Sequence, residues 1–130
     1  RYFELGLAEV AMREGVGLLG YSPLARGTLT GKYSDPAIVD TLPESFRARL
    51  LSENRQRAIA AYGEIARGHG LGLGHLALAF AAAQPFMTSV LMAASSAAQL
   101  HDNLAAIEVT LPREAVQAIN AIHDANPNPR

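Results

Sequence analysis

The sequence predicts an α/β fold built on parallel strands. Two short continuous apolar runs, Val16 to Tyr21 and Ser89 to Ala93, lack the alternation of a half-exposed strand and read as strands covered on both faces. Helical segments precede, separate and follow them, the order that parallel strands with right-handed crossovers produce. With 49% hydrophobic and 18% charged residues in 130, the composition is that of a globular protein. Two strands do not make a sheet that buries its own faces. The missing strands are expected either in sequence outside this chain or from other copies of it.

The elements follow in order. Phe3 to Arg13 carries Leu7, Val10 and Ala11 at helical spacing, and Gly15 suits the position just past a helix end. The first apolar run ends at Ser22-Pro23. Leu24 to Leu50 is a polar connection too long for a turn, and loops of that length often carry function. Ser52 can cap a helix to about Arg67 with Ile59, Tyr62, Ile65 and Ala66 on one face. Glycines at 68, 70, 72 and 74 punctuate the link to a helix over His75 to Gln84. Pro85 ends that helix before the second strand. Ser95 or Ser96 can cap a helix through Ala106. A last amphipathic helix starts near Pro112, presents Val116, Ile119 and Ile122, and ends before Asn126-Pro127-Asn128-Pro129. No internal repeat or low-complexity tract interrupts this order.

Several function classes are excluded. The formal net charge is −1 with acids and bases interspersed, so no basic face invites nucleic acid. The lack of cysteine removes disulfides, thiolate metal sites and a cysteine nucleophile, and fits a cytoplasmic protein. Leu76 to Ala94 has about membrane length, but Gln84-Pro85 and Thr88-Ser89 divide it into a helix, a turn and a strand, so no membrane span is expected. The opening Arg1-Tyr2-Phe3-Glu4-Leu5 has no leader pattern and no initiating methionine, as expected of a start inside a longer sequence.

Chemistry concentrates at the C-terminal ends of the two strands, where β/α folds gather ligands. After the first come Ser22-Pro23-Leu24-Ala25-Arg26-Gly27-Thr28-Leu29-Thr30-Gly31-Lys32-Tyr33. Glycines there permit close approach to a phosphate, while Ser22, Thr28, Thr30 and Lys32 supply donors and charge. This is no P-loop: the Walker pattern needs glycine where Arg26 stands and Ser or Thr where Tyr33 stands. After the second strand, Ala93-Ala94-Ser95-Ser96 runs into an alanine-rich helix whose start offers free N–H groups to an anion, though serines there commonly serve only as caps. Barrels of eight β/α units often hold phosphate with the loops after their last two strands. His69 and His75 stand six apart beside glycines and read as solvent-facing helix-end residues, so no metal site is expected.

Tyr21-Ser22-Pro23-Leu24, Gly27 and Leu29-Thr30-Gly31-Lys32-Tyr33 resemble the loop after the seventh strand of aldo-keto reductases. The likeness is greatest to the branch of bacterial NADPH-dependent reductases and potassium-channel β subunits. Ser95 to Asn103 resembles that family's eighth-strand segment, and Leu104 to Asp124 its terminal helices. The resemblance covers essentially the whole chain. It implies the C-terminal part of a (β/α)8 TIM barrel, with residues 1–130 forming a segment of one domain and not a complete one. It implies NADP(H) as cofactor and a small carbonyl compound as the intact protein's substrate. Residue by residue, it places Tyr21 against the nicotinamide and Ser22, Pro23, Leu24, Gly27 and Lys32 along the pyrophosphate. Arg47 would meet the cofactor, with Arg49 as its competitor. Ser95 and Gln99 would face the 2′-phosphate, and Asp102 and Asn103 the adenine. Two positions depart from the family: Ala93 stands for the usual glycine and Asp102 for the usual, longer glutamate.

The resemblance also implies what is missing. The family's chemistry uses an Asp, Tyr, Lys and His from early strands, and none of those motifs occurs here. Asp40-Thr41 echoes the aspartate motif but continues Leu42-Pro43 without the tyrosine. Catalytic residues are therefore expected to be absent from this chain. The leading reading is a piece of an NADPH-dependent oxidoreductase acting on aldehydes or ketones. Its rivals are a non-catalytic NADP-binding or interaction module of the same fold and a structural α/β domain that binds nothing. Strands without neighbours also predict self-association.

Overall fold

A computed structural model describes residues 1–127. A 3-10 turn at Tyr2–Glu4 is followed by α1 (Leu7–Glu14), β1 (Leu18–Tyr21), α2 (Pro36–Asp40), α3 (Glu44–Leu50), α4 (Glu53–Gly68), α5 (Leu73–Ala82), β2 (Met87–Leu91), α6 (Ala97–Ala105) and α7 (Arg113–Ala125). The two strands pair in parallel, as expected. From residue 128 on, the Asn-Pro tail lies outside the described residues.

The expected first helix is split. Gly6 sits at φ 125°, a conformation open to glycine but not to a side chain, and it separates the opening turn from α1. Gly15 caps α1 in the left-handed region as predicted. Val16 then returns its N–H to the Ala11 carbonyl at 2.8 Å, closing the helix end. Its backbone is thereby committed, and β1 starts at Leu18 instead of Val16. β2 is likewise shifted from the expected Ser89–Ala93. Tyr21 is the last residue of β1 and Leu91 is its partner, so pairing stops where β1 stops. Leu19 lies opposite Ser89 while Leu18 lies opposite Met87, leaving Thr88 as an extra residue in β2.

The polar connection contains α2 and α3. Asp35 caps α2 by accepting the Ala37 N–H at 2.9 Å, with Pro36 in the first turn. Ser52 stands at the cap of α4 as predicted, but its side chain makes no capping bond, and its buried Oγ has no partner among the described residues. At α6 it is Ser96 that caps, its Oγ accepting the Gln99 N–H at 3.1 Å.

The core lies where α4, α5 and α7 meet, around Ala66, Leu76 and Ile119, with Tyr62, Ile65, Leu71, Phe80 and Leu111 packed on it. Burial raises the pKa of Tyr62 above the usual phenol value. Arg1 ties the opening turn to this core. It bonds Glu4, donates to Asn120 Oδ1 at 2.8 Å and lies over the Phe80 ring at 5.3 Å. The strands, expected to be covered on both faces, are covered on one. Leu18 and Gly20 turn toward the helices, whereas Leu19, Tyr21 and Leu91 are exposed on the other side.

Candidate functional site

The strand ends and their loops enclose a cavity of about 460 Å³. Six of the sequence-predicted site residues line it: Ser22, Pro23, Leu24, Gly27, Lys32 and Gln99. Its far wall is the end of β2 with Met92 and Ala93.

The loop after β1 owes its shape to local bonds. Ser22, Ala25, Arg26, Gly27 and Gly31 all have positive φ, and three of them are not glycine. Such backbone is unfavourable for L-residues and persists only where the surroundings hold it. The holding bonds run from Ala25 N–H to the Ser22 carbonyl and from Gly27 N–H to the Leu24 carbonyl, each 2.9 Å. Thr30 Oγ1 donates to the Gly27 carbonyl at 2.8 Å, and the Tyr33 hydroxyl donates to the Arg26 carbonyl at 3.0 Å. The Tyr33 ring rests edge-on against Phe46 of α3, and the Lys32 ammonium lies over it at 4.9 Å. A Cβ on Gly27 would come within 2.5 Å of Lys32 Cε and 2.8 Å of Nζ. Gly27 therefore makes room for the lysine as well as for the turn.

On the other side, Gln99 Oε1 accepts from the Ser95 N–H at 2.7 Å and from Ser95 Oγ at 3.0 Å. With Ser96 bonded to the Gln99 N–H, this is a reciprocal helix cap displaced by one residue. The cap fixes the amide orientation: Oε1 is taken, so Nε2 remains as a donor.

The other predicted residues lie outside the cavity lining. Tyr21 is 81% exposed at the end of β1. Arg47 faces Asp40 at 3.8 Å. Asp102 receives His75, whose Nε2 is 2.9 Å from the Asp102 carbonyl oxygen and 3.3 Å from Oδ1. A carbonyl can only accept, so this contact selects the Nε2–H tautomer and joins the start of α5 to α6. His75 is thus not the solvent-facing residue the sequence suggested, whereas His69 is exposed. Asn103 is buried, and its Nδ2 finds no partner among the described residues.

A family model described as the Aldo/keto reductase family matches residues 1–124. The chain belongs to the aldo/keto reductase family. It is 44% identical to Protein tas of Escherichia coli (strain K12) over 126 residues, covering 95% of this chain and 36% of that protein. It is 34% identical to a probable voltage-gated potassium channel subunit beta of Oryza sativa subsp. japonica, covering 87% and 37%. It is 31% identical to L-glyceraldehyde 3-phosphate reductase of Escherichia coli O157:H7, covering 78% and 32%. The chain thus spans about a third of the length of these relatives.

Sequence reasoning used Arg26 only to reject a P-loop, yet Arg26 lines the cavity of this family member beside Lys32 and Thr30. Among the described residues no acidic side chain lines it. A cavity with two cations and no acid, in a chain of net charge −1, suits an anion. Among the described residues no helix is long and apolar enough to cross a membrane, and no cluster of three His, Asp or Glu could hold a metal.

Proposed function

We propose that this chain is the C-terminal segment of a (β/α)8 barrel oxidoreductase that reduces aldehydes or ketones with NADPH in the cytoplasm. On this reading it supplies the cofactor's phosphate and adenosine site, and the catalytic tetrad comes from sequence outside it. The observation that carries the reading is the cationic cavity between the two strand-end loops. Family membership and a relative named as a reductase support it.

The described residues fit the cofactor. Lys32 and the hydroxyl of Ser22 suit a pyrophosphate, while the Thr30 hydroxyl is spent on the Gly27 carbonyl and holds the loop. Gln99 offers its amide N–H groups to the 2′-phosphate from a side chain already fixed by Ser95. Asn103 is buried and would have to turn outward to meet adenine beside Asp102. Tyr21 presents an exposed ring at the strand end, as stacking on a nicotinamide requires. Arg47 would have to leave Asp40 to reach a phosphate, and at 3.8 Å that pair is a weak restraint. Bound NADPH supplies hydride; the role of these residues is to hold and orient it.

Two results are expected. The full-length gene product should oxidise NADPH in the presence of a panel of small aldehydes and ketones. Binding of NADPH without turnover on any of them would replace this reading with the non-catalytic module. The 130-residue chain alone should bind NADPH weakly and self-associate, because its open sheet face exposes Leu19, Tyr21 and Leu91. Sedimentation with NADPH fluorescence titration decides the point, and a compact monomer of micromolar affinity would contradict it.

A further inference from the structure

The cavity holds one charge more than the family resemblance assigns, and its geometry is deliberate. Arg26 has φ 58° and ψ 35° and follows Ala25 at φ 49°, two consecutive left-handed residues that are not glycine. The Tyr33 hydroxyl bonds the Arg26 carbonyl while the Tyr33 ring carries the Lys32 ammonium. Tyr33 thus holds the backbone of Arg26 and the ammonium of Lys32. Arg1, Arg13, Arg47, Arg57 and Arg67 each pair with a carboxylate. Arg26 pairs with none among the described residues, although its side chain is always charged. Two like charges on one cavity repel until an anion lies between them. A guanidinium also presents a planar fork that matches two phosphate oxygens, which an ammonium cannot do.

We propose that Arg26 is a phosphate-binding residue that works with Lys32 as a two-cation clamp. The inference rests on the NADPH reading above and names the residue that strengthens it. The phosphate gripped is either the pyrophosphate or the 2′-phosphate. The second choice is of interest because α6 begins Ala97-Ala98-Gln99, with no arginine to meet that group.

The test uses the full-length gene product with Arg26→Met, which keeps the stem and removes the charge, and Arg26→Lys, which restores the charge without the fork. Dissociation constants are measured for NADPH, NADH and inorganic pyrophosphate, with melting curves to confirm equal folding. Arg26→Met should weaken NADPH binding roughly ten- to hundredfold, with partial recovery in Arg26→Lys. Equal loss for NADPH and NADH assigns the pyrophosphate; loss confined to NADPH assigns the 2′-phosphate; both support the clamp. Unchanged binding in Arg26→Met beside a clear loss in Lys32→Met overturns it. Should the unmutated protein bind inorganic pyrophosphate but neither dinucleotide, the NADPH reading fails and the clamp is judged on pyrophosphate alone. Binding of none of the three overturns both.

Discussion

Replacing Leu76 with alanine is expected to remove most of the chain's stability. Leu76 is 2% exposed and stands between Ala66 and Ile119, which are 1% and 5% exposed, so three helices meet on it. Neither neighbour can swing in to fill the space, since Ala66 has only a methyl group and Ile119 is stiff at its branched carbon. Truncating a buried leucine costs about 2–5 kcal/mol, and the cost is highest where the surroundings cannot collapse. Whole domains are stable by only about 5–15 kcal/mol, and a chain with one sheet face open belongs at the low end. Urea denaturation followed by circular dichroism measures the effect. Leu100→Ala, at a position 44% exposed, is the control and should shift the midpoint little. Equal shifts in the two variants would show that the core lies elsewhere.

The second large effect is expected at Gly27. A methyl group there meets Lys32 Cε at 2.5 Å and Nζ at 2.8 Å, and the backbone sits at φ 84°. Gly27→Ala therefore combines backbone strain with displacement of the ammonium from the cavity. Losing a charged hydrogen bond costs about 1.5–3 kcal/mol of binding, while an αL alanine costs about 1 kcal/mol or more of stability, free or bound. Affinity of the full-length protein for NADPH should fall on the order of a hundredfold. Gly31→Ala separates the two contributions. Gly31 has nearly the same φ, 81°, but a Cβ there meets none of the described residues within 4 Å. It should lower the melting temperature about as much while sparing affinity. If Gly31→Ala weakens NADPH equally, strain alone is responsible and the lysine contact is irrelevant.

What could be read in the sequence was what neighbouring residues decide. The Gly15 cap, the Ser96 cap and the turns of the loop after β1 rest on bonds spanning a few residues, and the two strands show as apolar runs even though their pairing is remote. Asp35-Pro36 carried the same kind of signal for α2 but was absorbed into a long polar stretch. Strand ends were misplaced because they depend on the partner: β2 stops at Leu91 since β1 stops at Tyr21. Contacts between distant segments left no local trace. Arg1 bonds Asn120 across nearly the whole chain, and His75 meets Asp102 from a different helix. Arg26 was in plain view within the loop motif, yet only the fold shows it lining a cavity with Lys32 and pairing with no carboxylate among the described residues.

The parallel pairing of β1 with β2 has a consequence for the order of folding. Leu18 finds Met87 only after everything between them has been looped out, whereas α4, α5 and the turns around Lys32 are built from near neighbours. Closing a longer loop adds little to the equilibrium cost, which grows only with the logarithm of its length. It weighs far more on the rate, because contacts remote in sequence are the slow ones to assemble. Until that closure both strands offer bare edges, and at high concentration a second molecule competes with the chain's own partner strand. Dilution during refolding therefore favours the intramolecular pairing, and the yield of correctly paired chain becomes a race that concentration decides.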